Sequence, residues 1–433
     1  MISLHNVDGA DEALHYFSKD DYYTKGESLA HAEWFGKSVQ RLALSGKIER
    51  EDFFKALNGQ IAGQALGKWA HDEQTGEKAR VHRSGTDVTF SAPKSVSLLA
   101  EVVGQQEVRE AHEAAVKKAL TYIENTLSYT RQTEDGQTRP VRTGNLIVGL
   151  FRHNTSRELD PQTHTHAVIM NATCRKDGQW RSLMNDEVYN AQRMIGALYT
   201  SELADHLQRL GYELRRTDEY GNFEIADITR EQIEHFSQRR AEIKAALKAD
   251  GVNIDEATAQ QKEDATLKTR AHKKNVDHAA LIHAWKARAQ KLGIDFEAIQ
   301  VKANAYRAQD GLIREDRLTG RQAMEFATAH LIEREAVVSR NALIAVAIEH
   351  GIGRVSAAEV QRAFDKLEKD EDLVKLPDDR YTTKKMLASE RWTLEQVRAQ
   401  QGQTAPIMTP TQITRRLQQA EQCQGWAYSA GQK

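Results

Sequence analysis

The residues best suited to do chemistry are three histidines, His153, His164 and His166. Along a strand, side chains alternate between faces, so His164 and His166 point the same way across Thr165. If residues 145–153 form a strand that pairs with 164–173, His153 approaches that same face. Three imidazoles converging there would make an open divalent-metal site, with further positions left for water or substrate. A single His-x-His is weak by itself, because with 16 His in 433 residues one is expected by chance about half the time. The pair also reads as two histidines on a half-buried strand.

A second group is Tyr16, Tyr22 and Tyr23, with Phe17 beside the first. The cluster reads either as aromatic packing of an N-terminal helix or as a source of a phenolate nucleophile. A free phenol has a pKa near ~10, so the second role requires a base or a nearby cation. Asp87 on a β-prone stretch and Lys94 at a helix start form a third group. A carboxylate near the histidines could take a phenolic proton or orient an imidazole through its other ring nitrogen. A lysine at a helix N-terminus suits a phosphate oxygen, although both residues also read as ordinary surface groups. Nucleophile, base, Lewis acid and phosphate contacts are the parts of a phosphoryl transfer to protein.

The elements that must position these groups are readable in outline. Residues 87–90 and 145–153 read as strands, 154–163 as a loop containing Asp160-Pro161, and 164–173 and 179–183 as two further strands. Helices are expected from Ser91 to about 103, from 108 to 125, and from 186 to 210, where Gly211 stops the last. Such a mixture indicates an α+β layer structure. Residues 229–308 are helical and dense in Lys and Arg, and serve either as a solvated face or as an arm along a phosphate backbone. Helices at 341–350 and 356–369, then short strands at 372–376 and 380–383, follow the winged-helix order. The last 40 or so residues read as a linker with one helix near 410–419.

Composition sets the outer bounds. With 60 Lys+Arg against 62 Asp+Glu, a nucleic-acid-binding chain of this balance must gather its positive charge on one face. Cys174 and Cys423 are too few for a disulfide framework or a zinc motif. The N-terminus lacks a signal-peptide pattern, and no apolar run is long enough for a membrane span, so a cytoplasmic protein is expected. Gly36-Lys37-Ser38 lacks the upstream glycine of a phosphate loop, with His31 in its place, so no ATPase activity is expected.

Four blocks carry a resemblance: Thr86-Asp-Val-Thr-Phe-Ser-Ala-Pro-Lys-Ser-Val-Ser97, Thr143-Gly-Asn-Leu146, Phe151-Arg-His-Asn-Thr-Ser-Arg157 and Asp160-Pro-Gln-Thr-His-Thr-His-Ala-Val168. In order and in register they resemble the signature blocks of F-type conjugative relaxases, the TraI/TrwC-like group, over roughly residues 1–300. The resemblance implies an antiparallel sheet palm with flanking helices, a circularly permuted relative of His-hydrophobic-His endonucleases. It implies a relaxase domain over 1–310, with 230–310 closing over single-stranded DNA, a winged-helix-like domain over 320–390, and 391–433 leading toward a helicase. His153, His164 and His166 would hold one divalent ion (Mg²⁺, Mn²⁺ or Zn²⁺), Asp87 would be the base or histidine-orienting group, and Tyr16 the primary nucleophile. Tyr22, which matches the first of the family's second tyrosine pair, or Tyr23 would serve a later strand transfer, and Arg157 would join Lys94 on DNA phosphates. Phe17 stands where many relatives carry a second tyrosine, which favours Tyr16 for the first attack. Thr165 stands where related nucleases often place a hydrophobic residue, on the face turned away from the metal.

The activity implied is nicking and rejoining of single-stranded DNA at a plasmid transfer origin beside an inverted repeat, through a 5′-phosphotyrosine. Relaxosome accessory and coupling proteins would be its partners, with no membrane role. Two other readings use the same residues: a metal nuclease in which water attacks, and a non-enzymatic DNA-binding regulator built on the winged helix.

Overall fold

The structure is a computed structural model that describes residues 2–7, 9, 32–44, 46–71, 78–254, 256–269, 277–308, 316–403 and 407–429. Tyr16, Tyr22 and Tyr23 lie outside the described residues. The chain divides into two compact units, 1–366 and 367–433.

The first unit is built on a five-stranded sheet. Its strands are β1 (Ile2–Val7), β2 (Glu33–Phe35), β3 (Gly85–Ser91), β4 (Val148–Thr155) and β5 (Pro161–Met170), in the spatial order β1-β3-β5-β4-β2. Every adjacent pair is antiparallel. The central strand β5 is buried along nearly its whole length, which its Ala-Val-Ile-Met end permits because both faces are covered.

One face carries a helix layer. After Pro93, α2 (Lys94–Ser97) passes directly into a π-helical stretch over Leu98–Val103. Next come α3 (Gln106–Tyr122) and, later, α4 (Gln192–Arg209). In α3, Val108, Ala111, His112, Ala115, Val116, Ala119 and Leu120 are buried, a helical stripe aimed at the sheet. Phe90 meets Tyr199 of α4 with ring centroids 5.3 Å apart. On the opposite face α1 (Arg50–Leu57) seals an apolar cluster with Phe53, Phe151, Val168 and Met170. Gly149 makes room for it: a Cβ there would stand 3.0 Å from the Phe53 ring.

The mixed α+β architecture with an antiparallel sheet is as the sequence predicts, but several bounds differ. The expected loop at 154–163 is only 156–160, because Pro161 opens β5, where a missing N–H is tolerated. The expected helix at 186–210 is broken at Ala191 into Asp186–Asn190 and α4. The expected strand at 179–183 is reduced to Trp180–Arg181. The Gly36-Lys37-Ser38 run is structural: Gly36 has φ 113°, and a Cβ on it would lie 2.4 Å from the Leu146 carbonyl oxygen.

The basic stretch after Thr229 is helical, with α5 (Gln238–Ala249), α6 (Ala259–Lys268), α7 (His278–Lys291) and α8 (Phe296–Ala308). Then come α9 (Gly320–Ile332) and α10 (Arg340–His350). Arg193 of α4 grips the buried Glu349 of α10 with two charge-assisted bonds, 2.6 and 2.9 Å.

Helix α11 (Ala357–Lys369) runs across the division between the units. The second unit then holds a hairpin, Leu373–Leu376 with Arg380–Thr383, and the helices α12 (Lys384–Gln400) and α13 (Pro410–Gln424). Residues 391–400, read as the start of a linker, continue helix α12, whose N-cap Thr383 accepts from the Met386 N–H.

Candidate metal centre

Strand pairing brings the three histidines together. His153 is the direct cross-strand partner of His164, and Phe151 that of His166. All three imidazoles therefore share the face that continues into the Phe151, Val168 and Met170 cluster. Their ring centroids are 5.1–5.3 Å apart. One ring nitrogen from each lies within 4.8 Å of those of the other two. Just past His153 the pairing register slips, and the strand bends into its loop.

Two of the rings are oriented by bonds at Nδ1. His166 Nδ1–H donates to Asp87 Oδ2 at 2.7 Å, and His164 Nδ1–H donates to the Gln162 carbonyl at 2.9 Å. Each such bond leaves Nε2 as the atom that meets a cation. Asp87 and Thr89 reach the site because both lie on its face of β3, with Thr89 the cross-strand partner of His166. The Thr89 hydroxyl lies 3.0 Å from His166 Nδ1 and donates to Asp87 Oδ2 at 3.3 Å. Asp87 is 6% exposed, and its Oδ1 is a buried acceptor with no hydrogen-bond partner among the described residues, so the carboxylate has capacity for one more donor.

Burial holds His164 neutral, its pKa lowered to about 3 chiefly by desolvation and secondarily by His166. A neutral imidazole is the form that ligates metal. The donor set fits one divalent cation: three imidazole nitrogens, a carboxylate behind one of them, and no protein ligand closing the fourth position among the described residues.

The other expected site residues are placed differently. Lys94 Nζ donates to the Pro161 carbonyl at 2.8 Å, at the root of the histidine strand, and burial pulls its pKa down to about 8. Arg157 lies in the 156–160 loop between the two histidine strands. Sequence reasoning singled out neither Thr89 nor His112. Thr89 had a legible signal, since it alternates with Asp87 on the same strand.

A three-imidazole site on the sheet of an antiparallel α+β palm defines the class: a metal-centred palm protein. A family model described as TrwC relaxase matches residues 10–292. The multifunctional conjugation protein TraI of Escherichia coli strain K12 is 33% identical over 350 residues, 77% of this chain, and the chain spans 19% of that relative's length. The conjugative relaxase TrwC in complex with OriT DNA, in a metal-free structure, is 43% identical with a TM-score of 0.62, covering 68% of this chain and 100% of that one. Its metal-bound complex with OriT DNA is 44% identical with a TM-score of 0.61, over 68% of this chain and 100% of that one. The chain belongs to the TrwC relaxase family.

Proposed function

We propose that this chain is the strand-transferase part of a conjugative relaxase, which nicks and rejoins one DNA strand at a plasmid transfer origin. The observation that carries this reading is the convergent trio His153, His164 and His166, with Asp87 behind His166, in a family whose TrwC member is solved with OriT DNA both metal-free and metal-bound. A divalent ion (Mg²⁺, Mn²⁺ or Zn²⁺) bound there supplies Lewis-acid stabilisation of charge on the scissile phosphate.

The chain's own residues supply the rest. The Tyr16 phenol passes its proton to a carboxylate, for which Asp87 Oδ1, unpartnered among the described residues, suits, and forms the new P–O bond. The bond to the 3′ oxygen breaks and that oxygen leaves as a hydroxyl, taking up a proton. The product is a 5′-phosphotyrosine. One phosphodiester replaces another, so the same residues can reseal the strand without nucleotide hydrolysis. Tyr22 carries the later transfer, and Lys94 and Arg157 contact phosphates. The helical stretch 230–310 holds the single strand by its Lys and Arg residues, within a relaxase domain spanning 1–310. Residues 320–390 form a winged-helix-like domain, and 391–433 lead toward a helicase region. The partners are transfer-origin DNA with its inverted repeat, and relaxosome accessory and coupling proteins, met in the cytoplasm. Among the described residues no helix is long and apolar enough to cross a membrane.

Incubation with a labelled single-stranded oligonucleotide spanning the plasmid's transfer origin, with Mg²⁺, tests the reading. A denaturant-resistant protein–DNA adduct that is absent in Tyr16→Phe supports it. Cleavage that persists in Tyr16→Phe without an adduct points to the water-using nuclease instead.

A further inference from the structure

The loop that joins the two histidine strands is also where the basic helical segment is fastened. Asp160, only 1% exposed, accepts from the Gln238 N–H at 2.8 Å, from Gln238 Nε2 at 3.1 Å and from Arg288 Nη1 at 2.8 Å. Beside it, Trp285 Nε1 donates to the Leu159 carbonyl at 2.8 Å, and Asn154 Nδ2 lies 3.5 Å from His278 Nδ1. Gln238 opens α5 and His278 opens α7. The start of α5 and helix α7 are therefore both tied to the loop 156–160 and to the end of β4 just before it.

Between those ties α5 and α6 share a small core of their own, Leu247, Ala257 and Ala265. Arg239 reinforces it by donating to the Thr266 and Thr269 carbonyls at 2.6 and 2.7 Å. The loop, for its part, begins three residues after His153 and ends four residues before His164. A buried carboxylate is tolerated only when it is paired, and Asp160 spends its charge on the segment rather than on the turn itself.

We propose that Asp160 is a positioning residue whose carboxylate fastens the start of α5, through Gln238, and helix α7, through Arg288, to the loop between the strands that carry His153 and His164. One buried side chain then sets where the helix pair sits and how closely the three imidazoles converge. The proposal rests on the relaxase reading, in which the segment holds DNA and the imidazoles hold metal. Its consequence is that metal binding and strand binding are linked through Asp160, and linkage of this kind is reciprocal.

Two titrations of the whole chain test it, each at a temperature where circular dichroism shows the variant folded. One follows Co²⁺ uptake by its visible absorption, and the other follows binding of fluorescein-labelled dT30 to chelator-treated protein by anisotropy. In Asp160→Asn both affinities are expected to fall about five- to tenfold. Arg288→Gln keeps the carboxylate, should shift both in the same direction by less, and serves if Asp160→Asn does not fold. Wild-type affinities for Co²⁺ and dT30 in the folded variants overturn the proposal and leave the relaxase reading standing. A loss confined to one ligand also overturns it, since one side chain would not then set both. A wild-type chain that takes up no Co²⁺ overturns the metal reading and this proposal together.

Discussion

Each face of strand β5 meets buried histidine, the metal-site trio on one side and His112 of α3 on the other, and the two sides differ in what their nitrogens touch. On the helix side, His112 is fully enclosed: Nδ1 lies 2.8 Å from the Tyr199 hydroxyl and Nε2 lies 2.9 Å from the Thr165 hydroxyl. On the other side, His164 is also buried, yet among the described residues only its Nδ1 is bound by the protein, and its ring meets two more imidazoles. Burial lowers both pKa values to about 3. Depth and titration therefore do not separate a packing histidine from a ligand. The difference lies in whether protein atoms use up both ring nitrogens.

Removing a ligand should break this contrast most strongly. His164→Ala is expected to weaken Co²⁺ or Mn²⁺ binding by more than the ~100-fold upper range of an outer-shell loss, and to abolish nicking. Titration by visible absorption or calorimetry measures it. Asp87→Asn keeps the shape but removes the charge behind His166, and should cost about 10–100-fold in metal affinity. On the helix side His112→Phe should do the reverse. It strands two buried hydroxyls at about 1–3 kcal/mol each, lowering the stability read by urea unfolding, while metal affinity stays within about twofold.

A further effect is one of pH. The folded-state pKa of His112 is about 3, whereas an unfolded histidine titrates near ~6.5. Between these values the unfolded chain holds the extra proton, so stability falls as pH drops from about 6.5 toward 3. In His112→Phe that loss should be shallower by up to one proton, about 1.4 kcal/mol per pH unit, as read from unfolding curves at pH 6, 5 and 4.

How much was legible follows from these contacts. The histidine hairpin could be read because strand periodicity puts residues two apart on one face, and the cross-strand pairing of His153 with His164 needs only a short loop. Asp87 was legible for the same reason, as a carboxylate on a neighbouring strand. His112 was not, because it looks like any residue of an amphipathic helix until the sheet places Thr165 against it. Asp160 was visible only as a turn former before proline; its partners Gln238 and Arg288 are 78 and 128 residues away. Lys94 was legible as a lysine at a helix start, but its bond to the Pro161 carbonyl was not, since that depends on β5 running beside the helix. The loop bounds were misread because Pro161 suits a turn and the first residue of a strand equally well.

The most direct test of the account is a zinc-edge anomalous difference map from crystals of the wild-type chain grown with Zn²⁺. One peak about 2.0–2.1 Å from a nitrogen of each of His153, His164 and His166, with a further position open to solvent or DNA, is the predicted result. Those three rings without a peak, each bonded through both nitrogens to protein as His112 is, would contradict it.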